Sequence, residues 1–160
     1  MIVYHASPFI VEHPEVKYSR DFLDFGKGFY LTTIREQAVK YGLRFVLRGQ
    51  KAFLNQYELV EDLSGYDICT FDSYDEEWLD FVAQCRIGQD KTDYDIVFGG
   101  IADDRVFRTI DLFFSGEISK DEALKKLIFE KPNLQICIRT QLLLDAGLTY
   151  ISSTEINDRY

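Results

Sequence analysis

The stretch GFYLTTIREQAVKYGLRFVLR, residues 28–48, decides how the chain is read. Gly28-Phe29-Tyr30-Leu31-Thr32 is a short apolar run set off by the glycines of Phe25-Gly26-Lys27-Gly28, and it reads as a strand. Thr33-Ile34-Arg35-Glu36 has the spacing of a capping box, in which a hydroxyl and a carboxylate three residues on satisfy free N–H groups. A helix is therefore expected to start there. Ile34, Ala38, Tyr41 and Phe45 recur at helical spacing and are expected to form its inner face to about Arg48. Tyr30 thus lies on the strand and Tyr41, eleven residues later, two turns into the helix. A strand–turn–helix unit can fold back so that the two rings meet across a groove. In a chain with ten Tyr and thirteen Phe the plain alternative is an aromatic core pair.

Outward from this unit, Ile2-Val3-Tyr4-His5 reads as an opening strand, followed by a loop through Pro8 and Pro14. Ala52–Val60 alternates as a strand does, and Ile68–Phe71 does so more weakly. Ser73-Tyr74-Asp75-Glu76 opens a second capped helix with Trp78, Phe81 or Val82, and Cys85 on its buried stripe. Tyr94–Phe98 reads as a buried strand ending at a Gly99-Gly100 turn. One helical pattern with Val106, Ile110, Phe113 and Phe114 stops at Gly116. Another opens at the capping box Ser119-Lys120-Asp121-Glu122. Gln135–Arg139 is a strand, Gln141–Ala146 a helical turn, and Leu148–Ser152 a last strand. Strands and helices mix without regular βαβ alternation, which predicts a compact α+β fold, one domain over residues 1–160.

Composition narrows the function classes. Hydrophobic residues make up 46% and charged residues 28% of 160, a globular mix. No apolar run is long enough to span a bilayer, and MIVYHASPF has neither the basic start nor the apolar core of a signal peptide. Cys69, Cys85 and Cys137 are an odd number without a CxxC pair, which argues against a disulfide framework or a metal site and for the cytoplasm. The net charge of −9 disfavours nucleic acid as a partner, without excluding it, and Arg44–Arg48 and Lys125-Lys126 read as ordinary solvated helix faces. GxGxxG, Walker, HExxH and GxSxG motifs are absent. His13 sits beside Pro14 in a loop as a solvated residue. His5 ends an apolar strand beside small residues, either as a hydrogen-bonded rim residue or as a functional one.

Together these residues resemble the ADP-ribosyltransferase superfamily, in its diphtheria-toxin and poly(ADP-ribose) polymerase branch. Tyr4-His5-Ala6-Ser7 is similar to that branch's histidine motif. Gly28-Phe29-Tyr30 with Tyr41 is similar to its paired tyrosines, with the same spacing. The third motif, a glutamate opening a late strand, falls at Gln135. More closely, Asp24-Phe25-Gly26-Lys27-Gly28-Phe29-Tyr30-Leu31-Thr32 and Tyr94–Asp104 resemble a bacterial family of uncharacterised proteins that often look like toxin–antitoxin partners.

The resemblance implies split antiparallel β-sheets with flanking helices, and NAD+ as substrate with no metal. It implies a transferase that breaks the nicotinamide–ribose bond and passes ADP-ribose to a macromolecule, with an antitoxin protein as a further partner. His5, Tyr30 and Gln135 would be catalytic. His5, Ala6, Ser7, Asp24, Lys27, Tyr30 and Tyr41 would hold the dinucleotide: two phenol rings around nicotinamide, the Ala6 backbone and Ser7 at its carboxamide, His5 at a ribose hydroxyl, Lys27 near pyrophosphate. Three positions depart from the motif. Ala6 stands where the branch has glycine, Ala38 where related polymerases have a serine, and Gln135 where they have glutamate. A neutral amide stabilises an oxocarbenium-like state less than a carboxylate does, so Asp24, Asp103 and Asp104 are weighed as substitute acids, the last two also as helix caps. NAD+ glycohydrolysis and a catalytically weak or inactive nucleotide- or partner-binding domain remain the alternatives.

Overall fold

The computed structural model describes residues 1–157 and 159. Among the described residues seven strands form two sheets and five segments are α-helical. The first joins β1 (Ile2–Ser7), β3 (Phe53–Leu59) and β7 (Leu148–Glu155) in the order β1-β3-β7, all antiparallel. The second joins β2 (Phe29–Leu31), β6 (Gln135–Ile138), β5 (Ile96–Gly99) and β4 (Ile68–Thr70) in the order β2-β6-β5-β4. Its β2–β6 and β6–β5 pairs are antiparallel, but β4 and β5 run parallel, so this sheet is mixed. The architecture is α+β, with five α-helices: α1 (Arg35–Val46), α2 (Glu76–Arg86), α3 (Asp104–Phe114), α4 (Lys120–Leu127) and α5 (Gln141–Gly147).

Alternation of side chains along each strand sorts them into three cores. Val3, Tyr57 and Leu59 of the first sheet meet Phe29, Leu31, Ile96, Ile136 and Ile138 of the second, with Leu143 and Leu144 of α5 closing the cluster. On the outer face of the second sheet, Val97 and Cys137 pack under Trp78, Leu79 and Val82 of α2, Val106 and Ile110 of α3, and Ala123 and Leu127 of α4. On the outer face of the first sheet, Ala6 and Leu54 pack under Ala38 and Val39 of α1.

Several local expectations change in context. Helix α1 begins at Arg35, not Thr33, and its N-cap residue Ile34 has no capping side chain. Thr32 makes a local turn before it, its Oγ1 accepting the Ile34 N–H at 3.1 Å. The buried residues of α1 are Ala38, as expected, with Val39 and Gly42; Phe45 packs against the same core, while Ile34 and Tyr41 are 37% and 42% exposed. Close approach is the reason: a Cβ on Gly42 would stand 3.2 Å from the Ala6 Cβ, so small residues must face the sheet. Asp75, not Ser73, caps α2, accepting from the Trp78 N–H. Asp103 caps α3 and Ser119 caps α4 in the expected box. Gly99 and Gly100 make no positive-φ turn. They are small because Phe71, Phe25 and the Tyr74 ring press against them, and the Gly100 carbonyl accepts the Trp78 indole N–H at 2.7 Å.

Gly28 is the tightest position at the entry to β2. A Cβ there would lie 2.7 Å from the Ile138 carbonyl oxygen and against the Cys137 sulfur. Neither backbone nor buried thiol can give way cheaply, so Gly28→Ala should cost about 1–3 kcal/mol, as overpacked sites do. A urea midpoint lowered to that extent at unchanged m-value is the expected result; an unchanged midpoint would show that β2 and β6 lie further apart than described.

Candidate functional site

Strands β1 and β2 meet edge to edge at a single bridge. The Tyr4 N–H donates to the Thr32 carbonyl at 2.8 Å, and the Thr32 N–H returns a bond to Tyr4 at 3.0 Å. Continued, this antiparallel register would set Ala6 across from Tyr30. Instead the strands part, and the Tyr30 carbonyl is bonded at 2.7 Å to Nδ1 of His5. A carbonyl only accepts, so the proton sits on Nδ1 and the neutral ring keeps a lone pair on Nε2. Peptide groups along a strand turn to alternate edges, so Ala6 presents its N–H and C=O to the same edge as Tyr4. That edge is the gap.

The His5 ring lies on Phe29, centroids 4.3 Å apart, on the face between the sheets. Behind it stands Asn55, fully buried and directly across from His5 on β3. Its Oδ1 accepts from the Val11 N–H at 3.0 Å and the Ser153 hydroxyl at 2.6 Å, and its Nδ2 donates to the carbonyls of His5 and Phe9. All four valences of the amide are thus used, which ties the end of β1, the following loop and β7 together. Ser7 is turned into that loop, its Oγ accepting the Phe9 N–H at 3.1 Å. Burial lowers the His5 pKa below its ordinary 6.5, and the bond to Tyr30 offsets part of this.

Tyr30 points to the outer face of the second sheet. Its hydroxyl donates to the Gly26 carbonyl at 2.6 Å and accepts the Phe25 N–H at 3.0 Å, and its ring lies nearly parallel to Phe25 at 6.4 Å. Burial raises its pKa, so the phenol stays a proton donor at any working pH. Cys137 sits directly across on β6, its thiol pushed up to about 12 by burial. Gln135 lies two residues earlier on the same face and pairs with Gly99, which offers no side chain. Its amide is half-buried and, among the described residues, makes no hydrogen bond.

Tyr41 stands on α1 next to Gly42, the residue that seats the helix on Ala6. Its ring meets Phe45 edge-on at 5.6 Å and has the Arg44 guanidinium 5.6 Å from its centroid. Tyr30 and Tyr41 therefore belong to different packing groups, and among the described residues no ring contact joins them. Lys27 is exposed and 3.2 Å from Asp21. Among the described residues no cluster of His, Cys, Asp or Glu is placed to hold a metal ion. Two open surface depressions, one between residues 13–17 and α5 and one around the Gly88 turn, share none of these residues.

Two of the substitute acids, Asp24 and Asp103, are committed to structural bonds, and the third is solvated. Asp24 Oδ1 accepts from Arg86 Nε at 2.7 Å, and its Oδ2 accepts from the Ala102 N–H at 2.8 Å, with the two side chains of this ion pair 11% and 20% exposed. Asp103 caps α3, and Asp104 is 98% exposed, 3.9 Å from Arg44. Arg86 and Asn55 are site-building residues that the linear reading passed over. Asn55 carried a signal: it is a polar residue on the inward phase of the Asn55-Tyr57-Leu59 alternation. Arg86 follows Cys85 at the end of the α2 stripe, where only the fold reveals that it reaches Asp24.

Two outcomes follow from these partners. Removing the guanidinium in Arg86→Ala strands the Asp24 carboxylate in a largely buried place and should cost about 3–5 kcal/mol. Asp24→Ala combined with Arg86→Ala should cost clearly less than the sum of the single changes in urea unfolding; additivity would show that the pair is not coupled. For His5, the folded pKa is lowered, so below pH 6.5 the unfolded chain binds the proton first. Its contribution to stability is complete above that value and is lost as the pH falls toward the lowered folded value. The unfolding midpoint should therefore drop between pH 7.5 and 5.5, and this drop should shrink in His5→Gln. An equal drop in both proteins would assign the loss elsewhere.

No curated protein and no solved structure matches the chain. A family model does match, over residues 1–150, and it is that of a protein of unknown function, DUF3990. With nearly its whole length under that match, the chain belongs to the DUF3990 family.

Proposed function

We propose that the gap between β1 and β2 is a dinucleotide site in which NAD+ is cleaved and its ADP-ribose transferred to a macromolecular acceptor, in the manner of the ADP-ribosyltransferases that the His5, Tyr30–Tyr41 and Gln135 positions resemble. The observation that carries the reading is the parting of the two strands. His5 takes the Tyr30 carbonyl, and this leaves the Ala6 peptide groups at the gap edge beside an imidazole whose Nε2 accepts. A carboxamide needs one acceptor and one donor, which one strand residue offers in that orientation. A ribose hydroxyl can donate to Nε2. Tyr41 supplies an exposed ring face for the cationic nicotinamide, while Tyr30, braced by Phe25 and Gly26 on the outer face of the second sheet, fixes the β2 edge whose carbonyl His5 holds.

The chemistry asks for little else. The C1′–N bond breaks with its electron pair moving to the ring nitrogen, so nicotinamide leaves neutral and needs no proton. The ribose carbon passes through an oxocarbenium-like state, and the acceptor's nucleophile then bonds to C1′ and gives up a proton. Positive charge develops on the ribose, where Gln135 offers an amide oxygen and no formal charge. The lack of a carboxylate, together with the commitment of Asp24 and Asp103 to structural bonds, favours one second reading: a domain that binds NAD+ and turns it over slowly or not at all.

Nicotinamide release from NAD+ by the purified protein tests both. The first reading expects release that is lost in His5→Ala and Tyr30→Ala, and raised on the order of a hundredfold in Gln135→Glu. Binding without release, with turnover gained only in Gln135→Glu, selects the binding domain. Neither release nor calorimetric binding of NAD+ would end both readings.

A further inference from the structure

The acidic charge of this chain is not spread evenly. Residues 35–51 carry five Lys and Arg against the single acid Glu36, a net +4 within a protein of net −9. On α1 and the turn after it, Lys40, Arg44 and Arg48 follow at four-residue intervals and so share one face of the helix and its extension. All three are exposed, as is Lys51 beyond them. Among the described residues Lys40, Arg48 and Lys51 have no acidic partner, while Arg44 touches the fully solvated Asp104 at 3.9 Å. Within this stripe lies the exposed Tyr41 ring, with the Arg44 guanidinium over it.

We propose that this face binds single-stranded nucleic acid, with the lysines and arginines tracking phosphates and the Tyr41–Arg44 pair receiving an unstacked base. Two features favour this occupant. Cations at one-turn intervals suit a polyanion, and an aromatic ring flanked by guanidinium is the stacking element that single-strand binders combine with a basic track. Duplex DNA would satisfy the charges but bury its bases away from Tyr41. An anionic bilayer would satisfy the charges too, but it would meet the remaining acidic surface over a broad plane, whereas a strand follows a narrow stripe. Tyr41 stands next to Gly42, the helix residue that packs on Ala6. That the strand is also the acceptor of ADP-ribose rests on the NAD+ reading above; its binding does not.

The test is fluorescence anisotropy of labelled 15-nucleotide single-stranded DNA and RNA with the full chain, repeated across a salt series. Binding at low salt is expected, with a slope of log K against log salt of about −2 to −3, as three or four neutralised phosphates require. Lys40→Glu with Arg44→Glu and Arg48→Glu should abolish it, whereas Lys125→Glu with Lys126→Glu on α4 should leave it intact. Tyr41→Ala should weaken binding roughly tenfold, and Tyr41→Phe should restore it. Circular dichroism confirms that these surface variants fold. No binding at low salt, or binding indifferent to the α1 charges, overturns the proposal. So does a preference of the same face for phosphatidylserine vesicles over oligonucleotide. Oligonucleotide binding with neither nicotinamide release nor calorimetric binding of NAD+ keeps this inference while removing the NAD+ reading; release from NAD+ without oligonucleotide binding does the reverse.

Discussion

Two strands that could have continued as a ladder stop after one bridge, and a histidine ring takes over the next carbonyl. That substitution at the β1–β2 edge shapes the centre of the molecule. If the Ala6 N–H bonded to Tyr30, the two sheets would fuse along this edge and close the gap. With His5 in between, the seam is stitched at Tyr4 and held at Tyr30, with no ladder bond between Ala6 and Tyr30. The imidazole can do this only because its position is over-determined: Phe29 packs on its ring, and Asn55 fixes its backbone by accepting and donating on every valence.

The neighbouring elements are arranged around that edge by constraints of space. Small residues bring α1 down onto β1, Gly42 against Ala6, and this sets Tyr41 at the flank without burying it. On the other side, Tyr30 is braced by a loop whose own anchor is the Asp24–Arg86 pair. The chain of support thus runs from the end of α2 through Asp24 to the Phe25–Gly26 backbone and the Tyr30 hydroxyl. Polar bonds of this kind cost desolvation and add little net stability, but they hold a ring in one orientation. The thiols nearby play no ionic part, because burial pushes Cys85 and Cys137 up to about 12.

Much of this was legible in the linear chain. The succession of elements along the chain, the strand and helix that carry Tyr30 and Tyr41, and the Ser119 cap follow from periodicity and capping chemistry, which act over a few residues. Where local signals misled, tertiary contacts had overridden them. Thr33 looked like a cap, but Thr32, held by Tyr4, makes a local turn to the Ile34 N–H ahead of the helix instead. Of the expected inner face of α1, Ala38 is buried and Phe45 packs at its border, but Ile34 and Tyr41 are exposed, because the close approach of β1 puts Val39 and Gly42 beside Ala38 instead.

The sequence by itself determined the α+β class and the basic run in an acidic chain, because each depends on spacing or composition. Only the tertiary structure decided which groups share an edge. Nothing local joins His5 to the Tyr30 carbonyl, Asn55 to Ser153, or Asp24 to Arg86, sixty-two residues away. Such pairs form when the sheets and helices pack, because closing those long loops is favourable only once the cores between them are buried.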